Sequence, residues 1–378
     1  MTLIESFKAM EIGRLAISLK NEGRDIIHME YGQPTAPLPS SVKEAVHTVI
    51  DDHVPGYWES DELRQALVDD YAARYGAVVA PEQIFLTCGA SPALVLALSS
   101  AFGRGARIAM ARPGYVAYRN TVRGLGMEAV EIGCGADSRF QLTAAKIAAL
   151  DPLPDGVIIA SPANPTGTII PPAEMRAIAK FCEAKNIRLI SDEIYHRLNF
   201  DVATLSVTSL SPQAFVINSF SKYYCLPGWR IGWLVAPLDM VDAVNARQTN
   251  YFLTAPSLSQ VAALAAMNET DYFDGLLDVY KRNRELMLEG LPKLGFSKIA
   301  PPDGAFYIYA DISQFSDNSL EFCKKLLVDT GVATTPGLDF DPVNGHKYMR
   351  LSYPQDSQQV QLALDRISQW IKTNYNQV

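Results

Sequence analysis

The segment that most constrains the fold is residues 215–235, with the sequence FVINSFSKYYCLPGWRIGWLV. Its two ends, residues 215–218 and 231–235, are short apolar runs that predict buried strands. The polar part between them contains Lys222 and, eight residues later, Arg230. An isolated lysine of this kind is usually a solvated surface residue. Ligands of open α/β sheets, however, bind at the carboxyl ends of strands, where this lysine would lie.

Short apolar runs and helical patterns continue on both sides of this segment. Strands are predicted at residues 84–87, 107–111, 157–160 and 188–191, and helices at residues 93–102, 116–125 and 173–185. Alternating strands and helices are typical of βαβ units around a mostly parallel sheet. The sequence therefore predicts an α/β fold.

The pattern changes after about residue 275. A strand is predicted at residues 304–309, and helices at residues 280–289, 320–329 and 358–372. This arrangement favours a smaller α+β domain. A chain of 378 residues is also longer than one hydrophobic core usually serves. We predict an N-terminal arm with part of the small domain (1–40), a large domain (41–275) and a small C-terminal domain (276–378).

The composition argues against several classes of function. A net charge of −8 and a pI near 5.2 argue against a nucleic-acid partner or an anionic membrane. Five dispersed cysteines without a C-x-x-C pair predict reduced thiols, and the five histidines show no metal-ligand spacing. The N-terminal residues lack the apolar core of a signal peptide. We expect a cytoplasmic protein with no metal site and no membrane contact.

Four motifs occur along the chain in a fixed order. They are SPANPTG at 161–167, DEIY at 192–195, SFSK with GWRIG between 219 and 232, and RLSY at 350–353. Through these motifs the sequence resembles the class I/II (fold-type I) pyridoxal-phosphate-dependent aminotransferases over nearly its whole length. The resemblance implies a large domain with a mostly parallel seven-stranded sheet and a smaller α+β domain. It also implies a homodimer with shared active sites.

The resemblance assigns the cofactor, pyridoxal 5'-phosphate, to Lys222. In the family, the lysine of this motif forms a Schiff base with the cofactor and later acts as a general base. Asp192 would hold the pyridine nitrogen protonated, and Asn164 and Tyr195 would hydrogen-bond the phenolic oxygen. Considered alone, Asp192 could instead cap a helix and Asn164 could form a turn.

A further group of residues is expected to hold the ring and the phosphate. Tyr115 resembles the family's tyrosine that stacks on the pyridine ring. Tyr57 resembles the tyrosine that reaches a phosphate across the dimer interface, although the segment that follows it is shorter than in the family. A turn with Pro92 as the first helical residue would direct backbone N–H groups at the phosphate. The predicted phosphate ligands in the same chain are Gly89, Ala90, Ser91, Ser219, Ser221 and Arg230.

The α-carboxylate of the substrate is expected to pair with Arg350. Gly32, in a turn near the N-terminus, and Asn164 would help to fix the same substrate. Arg350 could otherwise form a surface salt bridge. A cation for a second substrate carboxylate is not assigned, and the candidates without support are Arg14, Arg112 and Arg247.

Two other functions are considered. A β-lyase, a decarboxylase or a cyclising lyase could use the same scaffold, because a fold does not fix a reaction. A non-enzymatic cofactor-binding sensor would need a fused DNA-binding segment, which the early start of the arm and the negative net charge argue against. The sequence favours an aminotransferase that moves an amino group between an L-amino acid and a 2-oxo acid, and it leaves the amino acid open.

Overall fold

The computed structural model describes residue 4, residues 6–52 and residues 56–375, so His53 lies outside the described residues. The helices are α1 Lys8–Asn21, α2 Ser40–Asp52, α3 Asp61–Tyr75, α4 Ala90–Ala101, α5 Val116–Gly124, α6 Ala144–Ala148, α7 Pro172–Ala184, α8 Val241–Tyr251, α9 Ser257–Met267, α10 Thr270–Lys293, α11 Ser319–Thr330 and α12 Ser357–Tyr375. The strands are β1 Ile27–His28, β2 Ile84–Thr87, β3 Arg107–Arg112, β4 Glu128–Gly133, β5 Gly156–Ala160, β6 Arg188–Asp192, β7 Phe215–Ser219, β8 Gly232–Val235, β9 Tyr307–Asp311, β10 Val332–Ala333, β11 Thr335–Pro336 and β12 Tyr348–Ser352.

A seven-stranded sheet lies at the centre, with the order β2-β8-β7-β6-β5-β3-β4. Strands β3 to β7 run parallel to one another, and β8 is antiparallel to both of its neighbours, β7 and β2. Because β8 opposes both neighbours, β2 points in the same direction as β7. The mostly parallel seven-stranded sheet expected from the sequence is confirmed.

The central strands are buried on both faces. Residues 157–159 of β5, 189–190 of β6 and 215–217 of β7 are each at most 2% exposed. Helices cover a parallel sheet on both sides, so its strands need apolar side chains on both faces. This requirement explains why uninterrupted apolar runs identified these strands in the sequence.

A smaller α+β part contains a three-stranded antiparallel sheet with the order β11-β12-β9. Helices α11 and α12 pack together beside it, and α10 packs on α12. The N-terminal segment joins this part, because β1 pairs with β10 and α1 packs on α11. The smaller α+β part is as expected, while the domain boundaries at residues 40 and 275 stay a prediction.

The start of α4 differs from the prediction. The helix begins at Ala90, so Pro92 is its third residue and not its first. Gly89 is the N-cap, with φ = +93°, a conformation that favours glycine. Proline is tolerated here because the first N–H groups of a helix have no partner within it. The turn therefore ends earlier than predicted, and two more residues belong to the first helical turn.

Other predicted elements are shifted or were not predicted. Helix α10 has 24 residues and extends well beyond residues 280–289. Strand β9 starts at Tyr307, because Ala305 has φ = +56° and interrupts the extended backbone. Strand β4 was not predicted, since its residues are only partly buried and include two glutamates. No helix among the described residues is long and apolar enough to cross a membrane.

Candidate active site

Most of the predicted site residues lie at the carboxyl edge of the central sheet. Asp192 ends β6, Ser219 ends β7 and Asn164 follows β5. These strands are parallel, so their ends meet at one edge, beside a cavity of about 340 Å³. The predicted residues that line this cavity are Gly32, Ala90, Ser91, Tyr115, Asn164, Asp192, Tyr195, Ser221, Lys222, Arg230 and Arg350.

Three predicted residues lie outside the cavity wall. The Ser219 hydroxyl is 2.8 Å from that of Ser221, and Gly89 is the cap of helix α4, so both are directly behind the wall. Tyr57 is 86% exposed and lies in a separate groove beside Thr254. Within one chain, Tyr57 is therefore not brought to the cavity.

The Lys222 amine is held by the N-terminal segment. Its Nζ donates a hydrogen bond to the carbonyl oxygen of Gly32 at 2.6 Å. Burial, followed by the positive charge of Arg350, lowers the pKa of Lys222 to about 8, while Asp192 opposes this change. Arg230 also lowers this pKa but has a smaller effect than Arg350. The amine is thus closer to its neutral, nucleophilic form at physiological pH than a free lysine would be.

Asp192 is a buried carboxylate at the cavity. Its Oδ2 accepts a hydrogen bond from the Tyr118 hydroxyl at 2.6 Å, and its Oδ1 accepts from the Ile194 N–H at 3.1 Å. Residues 194–197 form a turn and not a helix, so Asp192 does not cap a helix. Burial raises the pKa of Asp192 to about 6, against the lowering effect of the Tyr118 hydrogen bond. A cationic partner in the cavity would stabilise its charged form.

Arg350 lies in the middle of β12 and is 5% exposed, which excludes a surface salt bridge. Its guanidinium lies between the rings of Tyr307 and Phe340, at 4.6 and 4.8 Å from their centroids. Nη1 donates to Asn164 Oδ1 at 2.8 Å, and Nη2 donates to the carbonyl oxygen of Glu30. The buried Nε has no partner among the described residues. The guanidinium is therefore fixed in place.

A candidate anion cradle lies where β2, β7 and β8 meet. Gly232 of β8 pairs with the last residue of β2 and with Ser219 of β7, which brings the start of α4 next to the Lys222 loop. A Cβ atom on Gly89 would lie 2.6 Å from Nη2 of Arg230, so the guanidinium rests against this glycine. Backbone N–H groups at a helix N-terminus, serine hydroxyls and a guanidinium together suit a phosphate.

Two tyrosines in this region were not predicted from the sequence. Tyr118 bonds to Asp192, and the Tyr307 hydroxyl is 2.6 Å from the hydroxyl of Tyr195. Asn164, expected to act beside Tyr195, accepts a hydrogen bond from Arg350 with its Oδ1, and its role toward the cofactor stays a prediction. The sequence offered one sign of Tyr118, because it lies three residues after Tyr115, almost one helical turn away. Tyr307 comes from the other sheet, and no local pattern relates it to Tyr195.

The pKa of Lys222 leads to a test on the cofactor-free protein. The amine reacts when deprotonated, so its modification by an amine-directed reagent should accelerate with rising pH through about 8 rather than through 10.5. Arg350→Gln should move this midpoint upward, because it removes a neighbouring positive charge. Asp192→Asn should move it downward. Peptide mapping at each pH measures the rate at Lys222, and a midpoint near 10.5 would contradict the assigned environment.

The cavity residues fit pyridoxal phosphate. The anion cradle suits the phosphate, Asp192 offers a buried negative charge for a protonated ring nitrogen, and Tyr115 offers an aromatic face. The lysine amine lies in the same wall as the Arg350 guanidinium, a group that suits a carboxylate. The phosphate, the ring nitrogen and the ring face of the cofactor thus each have a matching group in the cavity or directly behind it.

Comparisons with known proteins agree with this fit. Residues 24–367 match the family described as aminotransferase class I and II. The chain is 44% identical over 375 residues to a valine–pyruvate aminotransferase of Mycobacterium tuberculosis, covering 97% of both chains. The crystal structure of an aminotransferase from Mycobacterium tuberculosis is similar at TM-score 0.95 and 43% identity, covering 98% of this chain and 97% of that one. Aspartate aminotransferase from Thermus thermophilus with maleate is similar at TM-score 0.90 and 27% identity, covering 97% of each.

The sheet order and the cavity at its carboxyl edge define a fold-type I pyridoxal-phosphate enzyme. Within that class, the chain belongs to the class I and II aminotransferase family. It is a transferase that depends on pyridoxal phosphate. Members of the family use amino acids and 2-oxo acids as substrates.

Proposed function

We propose that Lys222, Asp192 and Arg350 carry out the transfer of an amino group from an L-amino acid to a 2-oxo acid. The observation that supports this most directly is that all three line one cavity, with the lysine pKa lowered to about 8. A nucleophilic amine, a buried carboxylate and a carboxylate-binding guanidinium are the groups that this reaction needs.

Bound pyridoxal phosphate supplies an aromatic ring that accepts electrons from the substrate's α-carbon. Asp192 would keep the ring nitrogen protonated, and Asn164 and Tyr195 would hydrogen-bond the phenolic oxygen. Arg350 binds the substrate's α-carboxylate and thereby orients its α-hydrogen. Nζ of Lys222 holds the cofactor between turnovers and takes up the α-proton once the substrate is bound. Positioned proton transfer of this kind contributes about 10²–10⁴-fold to the rate.

The phosphate ligands are proposed to be the backbone of Gly89 to Ser91, the hydroxyls of Ser219 and Ser221, and Arg230. Gly89→Ala should weaken the affinity for pyridoxal phosphate about ten- to hundredfold, the size of a lost hydrogen bond to a charged group. The added Cβ would push Arg230 aside, and φ = +93° is strained for alanine. Affinity is measured by fluorescence titration of the cofactor-free protein.

The control for this substitution is Gly228→Ala, because a Cβ there meets no atom within 4 Å and the residue belongs to the same loop as Arg230. Pyridoxal, which lacks the phosphate, serves as a second ligand. The Gly89 variant should bind pyridoxal almost as well as the unaltered protein does. An equal loss of affinity for both ligands would show general damage to the site and would argue against a phosphate cradle.

A homodimer with shared active sites is part of the proposal, with Tyr57 reaching the phosphate of the partner subunit's cofactor. It is supported by large exposed side chains that closely precede the groove residue Thr254 in sequence, such as Tyr251 and Leu253, which are 56% and 54% exposed. Exposed apolar residues of this size often mark an interface. Sedimentation analysis tests the dimer.

A cytoplasmic location is proposed from the free thiols of the five cysteines.

The nearest rival is a lyase reaction at the same site. A transaminase converts an amino acid and a 2-oxo acid into a new pair, whereas a β-lyase releases pyruvate and ammonia without an acceptor. The test is to incubate the holoenzyme with single amino acids, with and without a 2-oxo acid, and to quantify both kinds of product. Formation of the new amino acid only when the acceptor is present supports transamination. Ammonia release that is independent of the acceptor would favour the lyase.

A further inference from the structure

One part of the cavity wall has no role in the chemistry described above. Phe7, Ala9 and Met10, at the start of helix α1, line the cavity. The Phe7 ring lies nearly parallel to that of Tyr115, with 6.3 Å between the ring centroids. This wall is apolar and comes from the N-terminal segment, which is remote in sequence from Tyr115, Lys222 and Arg350.

The start of α1 is fixed by a single buried carboxylate. The N–H groups of Lys8 and Ala9 donate to the two carboxylate oxygens of Asp339, each at 2.6 Å. Asp339 is 4% exposed. The first N–H groups of a helix lack partners within it and favour a nearby negative charge, so this contact stabilises the helix end. Asp339 thereby determines where Phe7 and Met10 lie.

The same carboxylate is coupled to the substrate arginine. Phe340, which follows Asp339 directly, packs against the Arg350 guanidinium at 4.8 Å. The carbonyl oxygen of Asp339 also accepts a hydrogen bond from Arg119 at 3.0 Å. The α1 wall and the proposed α-carboxylate site are therefore held by adjacent residues of one short segment.

The charges around the cavity argue against the binding of a substrate that carries a second carboxylate in its side chain. Among the described residues that line it, the cations are Lys222, Arg230 and Arg350, and each already has a proposed role. Arg112 pairs with Asp341 at 3.2 Å. Arg247 bonds along its own helix, and Arg14 lines a groove on the other side of Phe7 and Met10 and not the cavity itself.

We propose that the cavity selects amino acids with an uncharged, apolar side chain, that Phe7 and Met10 are the specificity-determining residues, and that Asp339 is the positioning residue that holds them. This inference rests on the proposed function, because it concerns the substrate of that reaction. A distal carboxylate would lie against an apolar wall, near the negative charge of Asp339 and without a free cation among the described residues of the same chain that line the cavity. Transfer of such a charge out of water is unfavourable unless it is paired.

The first test measures the half-reaction of the holoenzyme with single amino acids under single-turnover conditions, from the spectral change of the bound cofactor. No second substrate is present, so its preferences do not enter. Valine, leucine and methionine should react with at least about tenfold higher kcat/KM than aspartate and glutamate, within the range of pocket discrimination. Met10→Arg should reduce that ratio at least about tenfold.

The possible results distinguish an error in the proposed substrate preference from an error in the proposed function. If aspartate or glutamate is the best donor, the inference is wrong while the proposed function stands. If no amino acid converts the cofactor, the proposed function is wrong and the inference fails with it. If Met10→Arg leaves the ratio unchanged, Met10 does not determine specificity.

The second test concerns Asp339. Asp339→Ala should raise the KM for leucine and reduce its advantage over aspartate, each about tenfold, with a smaller change in kcat and an unchanged cofactor spectrum. Asp339→Asn, which keeps one carbonyl acceptor, should be intermediate. Glu11→Gln is the matched control, since it breaks the 2.8 Å ion pair between α1 and Lys324 without touching the cavity. The positioning role would be overturned if the Glu11 and Asp339 variants changed the KM for leucine and the preference for leucine over aspartate equally. It would also be overturned if Asp339→Asn and Phe7→Ala left that preference unaltered.

Discussion

Replacing Lys222 with alanine is expected to abolish the visible absorbance of the lysine-bound cofactor and to reduce transamination by about 10³-fold, within the range for a lost general base. The amine bonds to the carbonyl oxygen of Gly32 at 2.6 Å and lines the cavity beside Asp192, so a methyl group cannot replace it. The measurement is the steady-state rate with a 2-oxo acid acceptor, together with the absorption spectrum of the purified variant.

The control is Lys298→Ala. The Lys298 side chain is 79% exposed, and Lys298 does not line the cavity. That variant should keep both the spectrum and the rate. Added methylamine should restore part of the activity of Lys222→Ala, since it replaces the missing base without restoring the covalent link. Full turnover of Lys222→Ala without an added amine would contradict the role of this lysine.

Asp192→Asn is expected to reduce kcat by about 10²-fold, the upper range for one hydrogen bond to a charged group. The amide can still accept the Tyr118 hydrogen bond, but it has no charge to keep the ring nitrogen protonated. The KM for the amino acid should change less, because Arg350 is untouched. Steady-state kinetics of the reconstituted variant measure both constants, and Asp239→Asn, on an exposed side chain, is the control.

Thermal unfolding shows whether this loss could come from misfolding. Burial raises the pKa of Asp192 from 3.8 to about 6, so the folded cofactor-free protein disfavours the charged form. The resulting destabilisation is absent below pH 3.8 and fully present above pH 6. Asparagine removes it, and the cofactor-free variant should therefore be at least as stable as the unaltered protein at pH 8. A lower Tm there, or an unchanged kcat, would contradict the assignment.

Much of the site could be located from the sequence, because the carboxyl ends of parallel strands meet at one edge. The apolar runs before Asp192 and Ser219 were sufficient to predict strands, and the motifs after them then fell on that edge. The structure places Asn164, Lys222 and Arg350 around the same cavity. Their individual roles stay predictions that the variants above test.

Contacts between remote segments could not be predicted in this way. The bond between Asp339 and Lys8 joins residues 331 positions apart, and Tyr307 reaches Tyr195 from the other sheet. Neither contact leaves a periodic pattern in the sequence. The sequence also could not predict that Arg350 lowers the Lys222 pKa more than Arg230 does. This difference depends on how β12 lies relative to the lysine loop.

The most direct test of the central claim is to identify the residue that carries the cofactor. The holoenzyme is reduced with borohydride, digested and mapped by mass spectrometry. We predict that the mass of the reduced cofactor is found on the peptide that contains Lys222, at one equivalent per chain. Attachment to another lysine, or no covalent attachment in an active preparation, would contradict the account.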